Sequence, residues 1–230
     1  MKLSVVIPVY NEKNTIEEIV KKVKNVELPD VEKELILVDD SSKDGTRDIL
    51  KKMQVEQKDL QIYFQGINGG KGATLKEGFK HSTGNYVIVQ DADLEYDPKD
   101  YKNLIKALKD QNAQVVYGSR FSGEYKDMTN LHFIGNKLLT ILTNILFGVK
   151  LNDMETCYKL IPGDFIRKMN IRSNRFNFEP EITAKILKSG LKIVEVPISY
   201  KGRTWSEGKK ITWRDGISAL YTLIKFRFLD

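Results

Sequence analysis

The segments Leu3-Ser-Val-Val-Ile-Pro-Val9 and Glu34-Leu-Ile-Leu-Val-Asp39 decide the fold class. Both are short runs of β-branched and aliphatic residues, which are typical of strands buried on both faces. Between them, Ile16, Ile19 and Val20 recur at the spacing of one face of a helix. A strand, a helix and a second strand in this order predict a parallel pair of strands joined by a crossover helix.

The same alternation continues through the first half of the chain. Further strands are predicted at Gln61 to Phe64, Tyr86 to Gln90 and Gln114 to Gly118, and helices at Lys71 to His81 and Asp100 to Gln111. We therefore predict an α/β fold, in which a mostly parallel twisted sheet carries helices on both faces. Ligands of such sheets bind at the carboxyl ends of the strands.

The second half has a different pattern. Helices are predicted at Phe133 to Leu146, Glu179 to Ser189 and Asp215 to Phe228, with one strand at Ile193 to Tyr200. No segment rich in Gly, Pro or Ser separates the halves, so we predict a single domain over residues 1–230. The second half is then a C-terminal extension of helices and a strand that covers the ligand edge of the sheet.

Composition excludes several classes of protein. The chain has 230 residues, of which 41% are hydrophobic, and this excludes a disordered or low-complexity chain. One cysteine, Cys157, excludes an internal disulfide and favours a reducing compartment. With two histidines, it also excludes a zinc site of the Cys/His type, so a metal would need oxygen ligands. The net charge of +6 either attracts anions or only solubilises the surface, and no block of like charge indicates nucleic-acid binding.

Acidic side chains follow the predicted strands, where a buried carboxylate is costly unless it faces water, a cation or a ligand. Asp39 and Asp40 end the second strand, and Asp91, Asp93 and Glu95 follow the fourth. On an extended backbone, Asp91 and Asp93 point the same way, and Glu95 continues that face. Such a group either binds a hard divalent cation such as Mg²⁺ or Mn²⁺, or it forms a solvated acidic turn.

A glycine-rich loop, Gly66-Ile-Asn-Gly-Gly-Lys-Gly72, precedes a predicted helix. It fits neither the P-loop spacing nor the dinucleotide fingerprint G-x-G-x-x-G. Two interpretations stay open. Its backbone amides bind a phosphate at the start of the helix, or the loop is only a tight turn between a strand and a helix.

The order of these motifs resembles one enzyme family. Pro8-Val-Tyr-Asn-Glu12 ends the first strand, Val38-Asp-Asp40 ends the second, and Asp91-Ala-Asp93 ends the fourth. The loop Asn68-Gly-Gly-Lys-Gly72 lies between them and opens a helix. Over about residues 3–120, this arrangement resembles glycosyltransferase family 2, which has the GT-A fold.

The second half resembles a subgroup of that family. Gly118-Ser-Arg120, Phe178-Glu-Pro-Glu-Ile182, Val196-Pro-Ile198 and Arg203-Thr-Trp-Ser-Glu-Gly-Lys209 are similar to motifs of dolichyl-phosphate mannose synthases and dolichyl-phosphate glucosyltransferases. These enzymes transfer a sugar from a nucleotide donor to a polyprenyl phosphate. The resemblance implies that residues 1–120 bind the nucleotide sugar. Residues 121–230 would then bind the acceptor and end in an amphipathic helix.

The resemblance also implies the residues of the site. Asp93 and Glu95 would hold the metal, although Glu95 stands where the mannose synthases usually carry Gln. Asp93, Arg120 and Arg203 are the expected catalytic residues, because a cation and arginines neutralise phosphate charge. The positions expected to bind the nucleotide sugar are Pro8, Tyr10, Glu12, Val38, Asp40, Lys71, Asp91, Ala92, Asp93, Arg120, Arg203 and Lys209.

The implied reaction is an inverting transfer of a hexose to a polyprenyl or dolichyl phosphate. GDP-mannose is the favoured donor and UDP-glucose the next. A phosphate acceptor is already anionic and needs no general base. The main alternative is transfer to a sugar hydroxyl in a surface polysaccharide, which a carboxylate must deprotonate, and Asp153 and Glu181 are the candidates. A sugar nucleotidyltransferase and a non-catalytic binding module are more distant alternatives.

A lipid acceptor implies contact with a membrane. The near-apolar stretch Leu138 to Val149 has 12 residues, whereas a membrane-spanning helix needs about 20, and the N-terminus does not have the pattern of a signal peptide. We expect a cytoplasmic protein that binds the membrane peripherally through this stretch and the helix Ile217 to Leu229. In the alternative interpretation, both stretches belong to the core, or the second forms the interface of a homo-oligomer.

Overall fold

The computed structural model describes residues 1–126, 129–203 and 213–229. The strands are β1 (Lys2–Val9), β2 (Glu32–Asp39), β3 (Leu60–Phe64), β4 (Tyr86–Val89), β5 (Val115–Ser119), β6 (Tyr125–Lys126), β7 (Lys159–Pro162), β8 (Ile193–Pro197) and β9 (Tyr200–Lys201). The helices are α1 (Ile16–Asn25), α2 (Thr46–Glu56), α3 (Lys71–His81), α4 (Tyr101–Asp110), α5 (Asn130–Phe147), α6 (Gly163–Lys168), α7 (Phe178–Lys188) and α8 (Trp213–Phe228).

Seven of these strands form one sheet in the order β3-β2-β1-β4-β7-β5-β8. Strands β1 to β4 run parallel to one another, and β5 runs parallel to β8. The predicted α/β fold with a mostly parallel sheet is confirmed. In the register of β1 and β2, Val9 lies beside Asp39, so the carboxyl ends of these strands lie level.

The second half differs from the sequence prediction in several elements, among them β7 and β8. Strand β7, which was not predicted, runs antiparallel to β4 and β5 and joins the two parallel parts of the sheet. It has four residues and opens with a lysine, so its hydrophobic pattern is too short to detect. The strand predicted at Ile193 to Tyr200 is divided: β8 ends at Pro197, and Tyr200 starts β9, which pairs with β6. Proline has no N–H with which to continue a ladder.

Helices α5, α7 and α8 form a layer in which α8 packs against both of the others. Ala219, Leu223 and Phe226 form the buried side of α8. Strand β9 pairs with β6, and its Tyr200 forms a bridge with Tyr96 in the segment that follows β4. These pairings lie near the carboxyl edge of the sheet. The second half is thereby held over the ligand edge.

The start of α3 is fixed by close approach to another loop. Gly70 has a φ of +88°, and a Cβ at this position would lie 2.6 Å from the carbonyl oxygen of Asn174. The amide of Ala73 donates to that same carbonyl at 3.0 Å. Glycine is therefore required at position 70 by both its conformation and its surroundings.

Replacing this glycine tests the constraint. We expect Gly70→Ala to lower the free energy of unfolding by about 1–3 kcal/mol, because it combines an unfavourable φ with a backbone clash. Urea denaturation followed by circular dichroism measures the change. Gly66→Ala is the matched control, since a Cβ there has no atom within 4 Å and φ lies outside the left-handed range. Equal stabilities of the two variants would contradict the prediction.

Candidate active site

The carboxyl ends of β1, β2 and β4 bring carboxylates from distant parts of the sequence to one edge of the sheet. Strand β1 lies between β2 and β4. Glu12 follows β1, Asp40 follows β2, and Asp91 and Asp93 follow β4. Glu12 and Asp40 are buried, while Asp91 and Asp93 are partly buried. Such a concentration of negative charge requires nearby cations.

Arg203 supplies one of them from the far end of the chain. Its Nη1 lies 3.2 Å from each carboxylate oxygen of Glu12, and its Nη2 lies 2.9 Å from Oδ2 of Asp93. Its backbone amide donates to Oε1 of Glu95 at 2.8 Å. The backbone of Glu95 in turn accepts from the amide of Lys201, which anchors β9 beside the acidic segment. Arg203 therefore holds together Glu12, Asp93 and Glu95, and all four are predicted site residues.

The acidic segment after β4 keeps an excess of negative charge in spite of Arg203. Burial, together with the charges of Asp91 and Glu95, raises the pKa of Asp93 to about 7, although Arg203 acts in the opposite direction. In the residues that the structure describes, no group of three or more His, Cys, Asp or Glu side chains is arranged as a complete metal site. Asp93 and Glu95 fit an Mg²⁺ or Mn²⁺ ion that takes its other ligands from phosphate and water.

Lys71, at the first position of α3, neutralises the neighbouring carboxylates. Its Nζ lies 2.8 Å and 3.0 Å from the two oxygens of Asp91 and 3.4 Å from Oε1 of Glu179. Burial acts to raise the pKa of Asp91, but the charge and hydrogen bond of Lys71, together with Cys157 and Arg203, lower that pKa overall. On its other side, Glu179 accepts from the buried Lys159 at 2.5 Å. Asp91, Lys71, Glu179 and Lys159 thus form a series of alternating charges that starts two residues from Asp93.

Asp40 organises the glycine-rich loop. Its two carboxylate oxygens accept from the amides of Gly69 and Gly70 at 2.7 Å and 2.8 Å. Burial raises the pKa of Asp40, and these amides oppose the shift. The carboxylate thus occupies the position at the start of α3 that a phosphate takes in other proteins. Of the two interpretations of this loop, the structure supports the tight turn between a strand and a helix.

Arg120 forms a buried pair with Asp153. Its Nε and Nη2 lie 2.7 Å from the two oxygens of Asp153, and its backbone amide donates to the same carboxylate at 2.9 Å. No hydrogen bond from Nη1 is found within the described residues. The guanidinium lies 5.3 Å from the ring centre of Tyr200, whose hydroxyl donates to Glu95 at 2.9 Å. Tyr200, which the sequence pattern did not single out, therefore connects Arg120 to the proposed metal ligands.

The two carboxylates considered as general bases are engaged in structural contacts. Asp153 is fully buried in its pair with Arg120. Glu181, also fully buried, accepts from the amides of Arg172 and Ser173 at 2.7 Å and 2.6 Å and pairs with Lys185. Burial acts to raise the pKa of Glu181, but these donors lower it. Neither carboxylate is placed to take a proton from an acceptor.

The other predicted positions occupy the edges of this site. Pro8 and Val38 lie side by side near the ends of β1 and β2. The side chains of Val38 and Ala92 are buried in the core, so at most their backbones face a ligand, whereas Tyr10 is partly exposed. Lys209 lies outside the described residues. Lys159 and Thr156 were not predicted as site residues. Their only signal in the sequence is that Lys159 opens a short apolar segment, which forms β7.

Comparison with known proteins assigns the family. A sequence model of the family described as Glycosyl transferase family 2 matches residues 4–168. The chain belongs to this family. The residues that carried the resemblance in the first half lie inside the matched region, and most of them meet at the carboxyl edge described above.

The chain is similar to proteins from an archaeon and a eukaryote. It is 27% identical to an uncharacterised protein of Methanocaldococcus jannaschii, over 98% of this chain and 99% of the relative. It is 29% identical to a dolichyl-phosphate beta-glucosyltransferase of Trichomonas vaginalis, over 86% of this chain and 65% of that enzyme.

Solved structures confirm the GT-A fold. The glucosyl-3-phosphoglycerate synthase of Mycobacterium tuberculosis, in complex with Mn²⁺, UDP and phosphoglyceric acid, superposes with a TM-score of 0.75. The alignment covers 100% of this chain and 79% of the synthase at 17% identity. A second structure of that synthase, with Mg²⁺ and UDP, gives a TM-score of 0.74, also at 17% identity, over 100% of this chain and 80% of the synthase. At this identity, the likeness concerns the fold.

The pair of Arg120 and Asp153 gives a stability prediction. We expect Asp153→Ala to lower the free energy of unfolding by about 3–5 kcal/mol, because it leaves a buried guanidinium without its partner. Asp164→Ala is the control, because it removes an ion pair to Arg167 from a carboxylate that is 87% exposed; its expected cost is under about 1 kcal/mol. Urea denaturation compares the two. Similar losses of unfolding free energy in both variants would contradict the prediction that the buried pair stabilises the fold.

Proposed function

We propose that this family 2 enzyme is an inverting, metal-dependent hexosyltransferase that uses a polyprenyl-type lipid phosphate as acceptor. The observation that carries the choice of acceptor is an exposed apolar surface on α5 and α8 that begins beside Arg120. The first half of the chain supplies the contacts to the nucleotide sugar, and the second half supplies those to the acceptor.

Asp93 and Glu95 would hold the cation together with the diphosphate of the donor. When bound, an Mg²⁺ or Mn²⁺ ion stabilises the negative charge that develops on the leaving nucleoside diphosphate. Arg203 fixes both carboxylates in place through its contacts to them. Similarity to a dolichyl-phosphate beta-glucosyltransferase favours a glucosyl donor, whereas the sequence motifs favour GDP-mannose. UDP-glucose and GDP-mannose are therefore the donors to compare.

The acceptor phosphate needs positive charge and no base, because it is already ionised at neutral pH. Arg120 can supply that charge, because Asp153 orients the guanidinium and Nη1 is left to donate to a phosphate oxygen. Arg203 lies on the other side of Tyr200 and Glu95, and offsets the repulsion between donor and acceptor phosphates. Catalysis would then depend on positioning and on charge stabilisation.

The lipid-facing surface consists of one exposed stripe on each of two packed helices, and we refer to it as the two-helix surface. Most of the exposed large apolar side chains of the described residues belong to it. Its members are Ile134, Leu138, Ile141 and Ile145 on α5, and Ile217, Leu220, Tyr221, Ile224 and Phe228 on α8. A group of exposed apolar side chains on two packed helices is typical of a binding face.

The charges around the two-helix surface favour an anionic bilayer over a second copy of the chain. Helix α5 contains no Asp or Glu, and α8 contains only Asp215 at its start. Lys137, Lys225 and Arg227 lie on the same helices. Two copies that met through this surface would bring like charges together, whereas anionic headgroups would neutralise them.

The two-helix surface is continuous with the site. At the start of α5, the ring of Phe133 packs edge-to-face on Phe121 with centroids 5.0 Å apart. The ammonium of Lys137 lies 4.2 Å from the centre of the Phe121 ring. Phe121 directly follows Arg120, so a lipid tail on this surface would leave its phosphate near that guanidinium. Among the described helices, none is both long and apolar enough to cross a membrane, so we propose peripheral contact.

Substitution of the metal ligand tests the transferase. We expect Asp93→Asn to reduce transfer of labelled hexose from UDP-glucose or GDP-mannose to a polyprenyl phosphate by at least about a hundredfold. It should also abolish the Mn²⁺-dependent thermal shift with the nucleotide. Asp110→Asn, in an exposed carboxylate at the end of α4, is the control and should retain full activity. Transfer to a water-soluble sugar alone would show that the acceptor is a hydroxyl, and no nucleotide-dependent shift in the wild type would contradict the proposal altogether.

Charged substitutions test the two-helix surface. We expect Leu138→Glu combined with Ile141→Glu to reduce co-sedimentation with vesicles rich in phosphatidylserine by at least tenfold, because each glutamate adds charge where apolar surface must enter the lipid. Val55→Glu is the control, since Val55 is 70% exposed on α2. The surface would instead be a dimer interface if the wild-type protein did not bind vesicles, formed a dimer, and became monomeric on the double substitution.

A further inference from the structure

Three buried oxygen atoms near the site have no hydrogen-bond donor among the described residues. They are Oε1 of Glu155, Oγ1 of Thr156 and Oε1 of Glu179, the last of which has only an ion pair to Lys71 at 3.4 Å. We refer to these three residues as the acceptor cluster, where acceptor means a hydrogen-bond acceptor. Lys159 ties the cluster together, since its Nζ contacts Oε2 of Glu179 and the backbone carbonyl of Thr156. Thr156 is fully buried and Glu179 is 5% exposed. A buried acceptor that makes no hydrogen bond is unfavourable, so a ligand that donates to it is expected.

The acceptor cluster lies next to the place where the diphosphate of the donor would bind. The ammonium of Lys71 contacts Asp91 at 2.8 Å and Oε1 of Glu179 at 3.4 Å, so one lysine separates the cluster from Asp91. Asp91 in turn precedes the metal ligand Asp93 by two residues. In a nucleotide sugar, the group attached to the metal-bound diphosphate is the hexose.

The chemistry of the acceptor cluster excludes a phosphate and fits a sugar. Two carboxylates repel a phosphate, and an ionised phosphate has little to donate to them. A hexose is uncharged and carries several hydroxyl groups, each able to donate one hydrogen bond. From this we infer that the transferred hexose binds beside the acceptor cluster, and that Glu155 contacts one of its hydroxyl groups and is the specificity-determining residue. The inference rests on the proposed transferase function and deepens it.

Glu155 differs from the other two members in its freedom. Glu179 is fixed by Lys159 and Lys71, and Thr156 is enclosed. Glu155 keeps part of its surface exposed although Oε1 is buried, so its carboxylate can reach a ligand. Burial and the charges of Glu179 and Asp153 raise its pKa to about 7, while Lys159 and Arg120 oppose the shift. It can therefore accept from a hydroxyl or, when protonated, donate to one.

The test separates recognition of the sugar from recognition of the nucleotide. Isothermal titration calorimetry in the presence of Mn²⁺ measures the Kd of four ligands, UDP, UDP-glucose, GDP and GDP-mannose. It is done for wild type, Glu155→Ala and Glu155→Gln. We expect Glu155→Ala to weaken binding of the preferred nucleotide sugar by about 10- to 100-fold, the usual effect of a hydrogen bond to a charged group. Binding of the free nucleoside diphosphate should change less than twofold. Glu155→Gln keeps the shape and one acceptor, so its loss should be smaller.

Deoxy analogues of the preferred donor locate the hydroxyl. The donor that lacks the recognised hydroxyl should bind wild type and Glu155→Ala with similar affinity, which a double-mutant cycle detects. Glu124→Ala, in an exposed carboxylate, is the control and should leave all affinities unchanged. The melting temperature of Glu155→Ala should equal or exceed that of wild type, because a buried oxygen without a partner is removed.

Three outcomes would overturn the inference. Equal losses for the nucleotide and the nucleotide sugar would give Glu155 a structural role, as would a large fall in melting temperature for both Glu155 variants. Unchanged affinity for the nucleotide sugar in Glu155→Ala would remove it from the site. Failure of wild type to bind any of the four ligands is a different result, because it removes the proposed function as well.

Discussion

The structure depends on one electrostatic constraint: carboxylates gather at the carboxyl edge of the parallel strands and must be neutralised there. The first half of the chain supplies most of this negative charge through Glu12, Asp91 and Asp93. The second half supplies Arg203, which reaches across 110 positions in sequence to contact Asp93 at 2.9 Å. Without such pairs, burial of several like charges would oppose folding. The C-terminal segment is therefore held over the sheet by charge as well as by packing.

The same pairing separates groups that build the site from groups that are left to bind ligands. Asp40 is satisfied by loop amides and Asp153 by a guanidinium, so each positions a neighbour. Within the described residues, three features are left to bind ligands: an excess of negative charge at Asp93, one donor nitrogen on Arg120, and the oxygen atoms of the acceptor cluster that make no hydrogen bond. These three features match a cation, an acceptor phosphate and the hydroxyls of a hexose, which are the groups that a hexosyl transfer to a lipid phosphate brings together.

The surface of the second half fits this chemistry. Helix α8 buries one side against α5 and α7 and leaves the other side apolar and exposed. Burying that side in a bilayer would gain free energy without any change in the core, since the hydrophobic effect depends on the area removed from water. The aromatic contact between Phe121 and Phe133 places the start of this surface beside Arg120. In the proposed function, reaction chemistry and lipid contact would thus occupy adjacent parts of one face.

The sequence by itself determined the alternation of strands and helices, the acidic segments at strand ends and the family, because hydrophobic periodicity and short motifs are local. It also placed Asp93, Glu95, Arg120 and Arg203 among the candidate residues. Only the tertiary structure decided how the charges pair, that the glycine-rich loop binds Asp40, and that Tyr200, Lys159 and the acceptor cluster join the site. Such pairs form between residues far apart in sequence, so no local pattern encodes them. The antiparallel strand β7 escaped prediction for a related reason, since four residues carry too little periodicity and its pairing is set by neighbours on both sides.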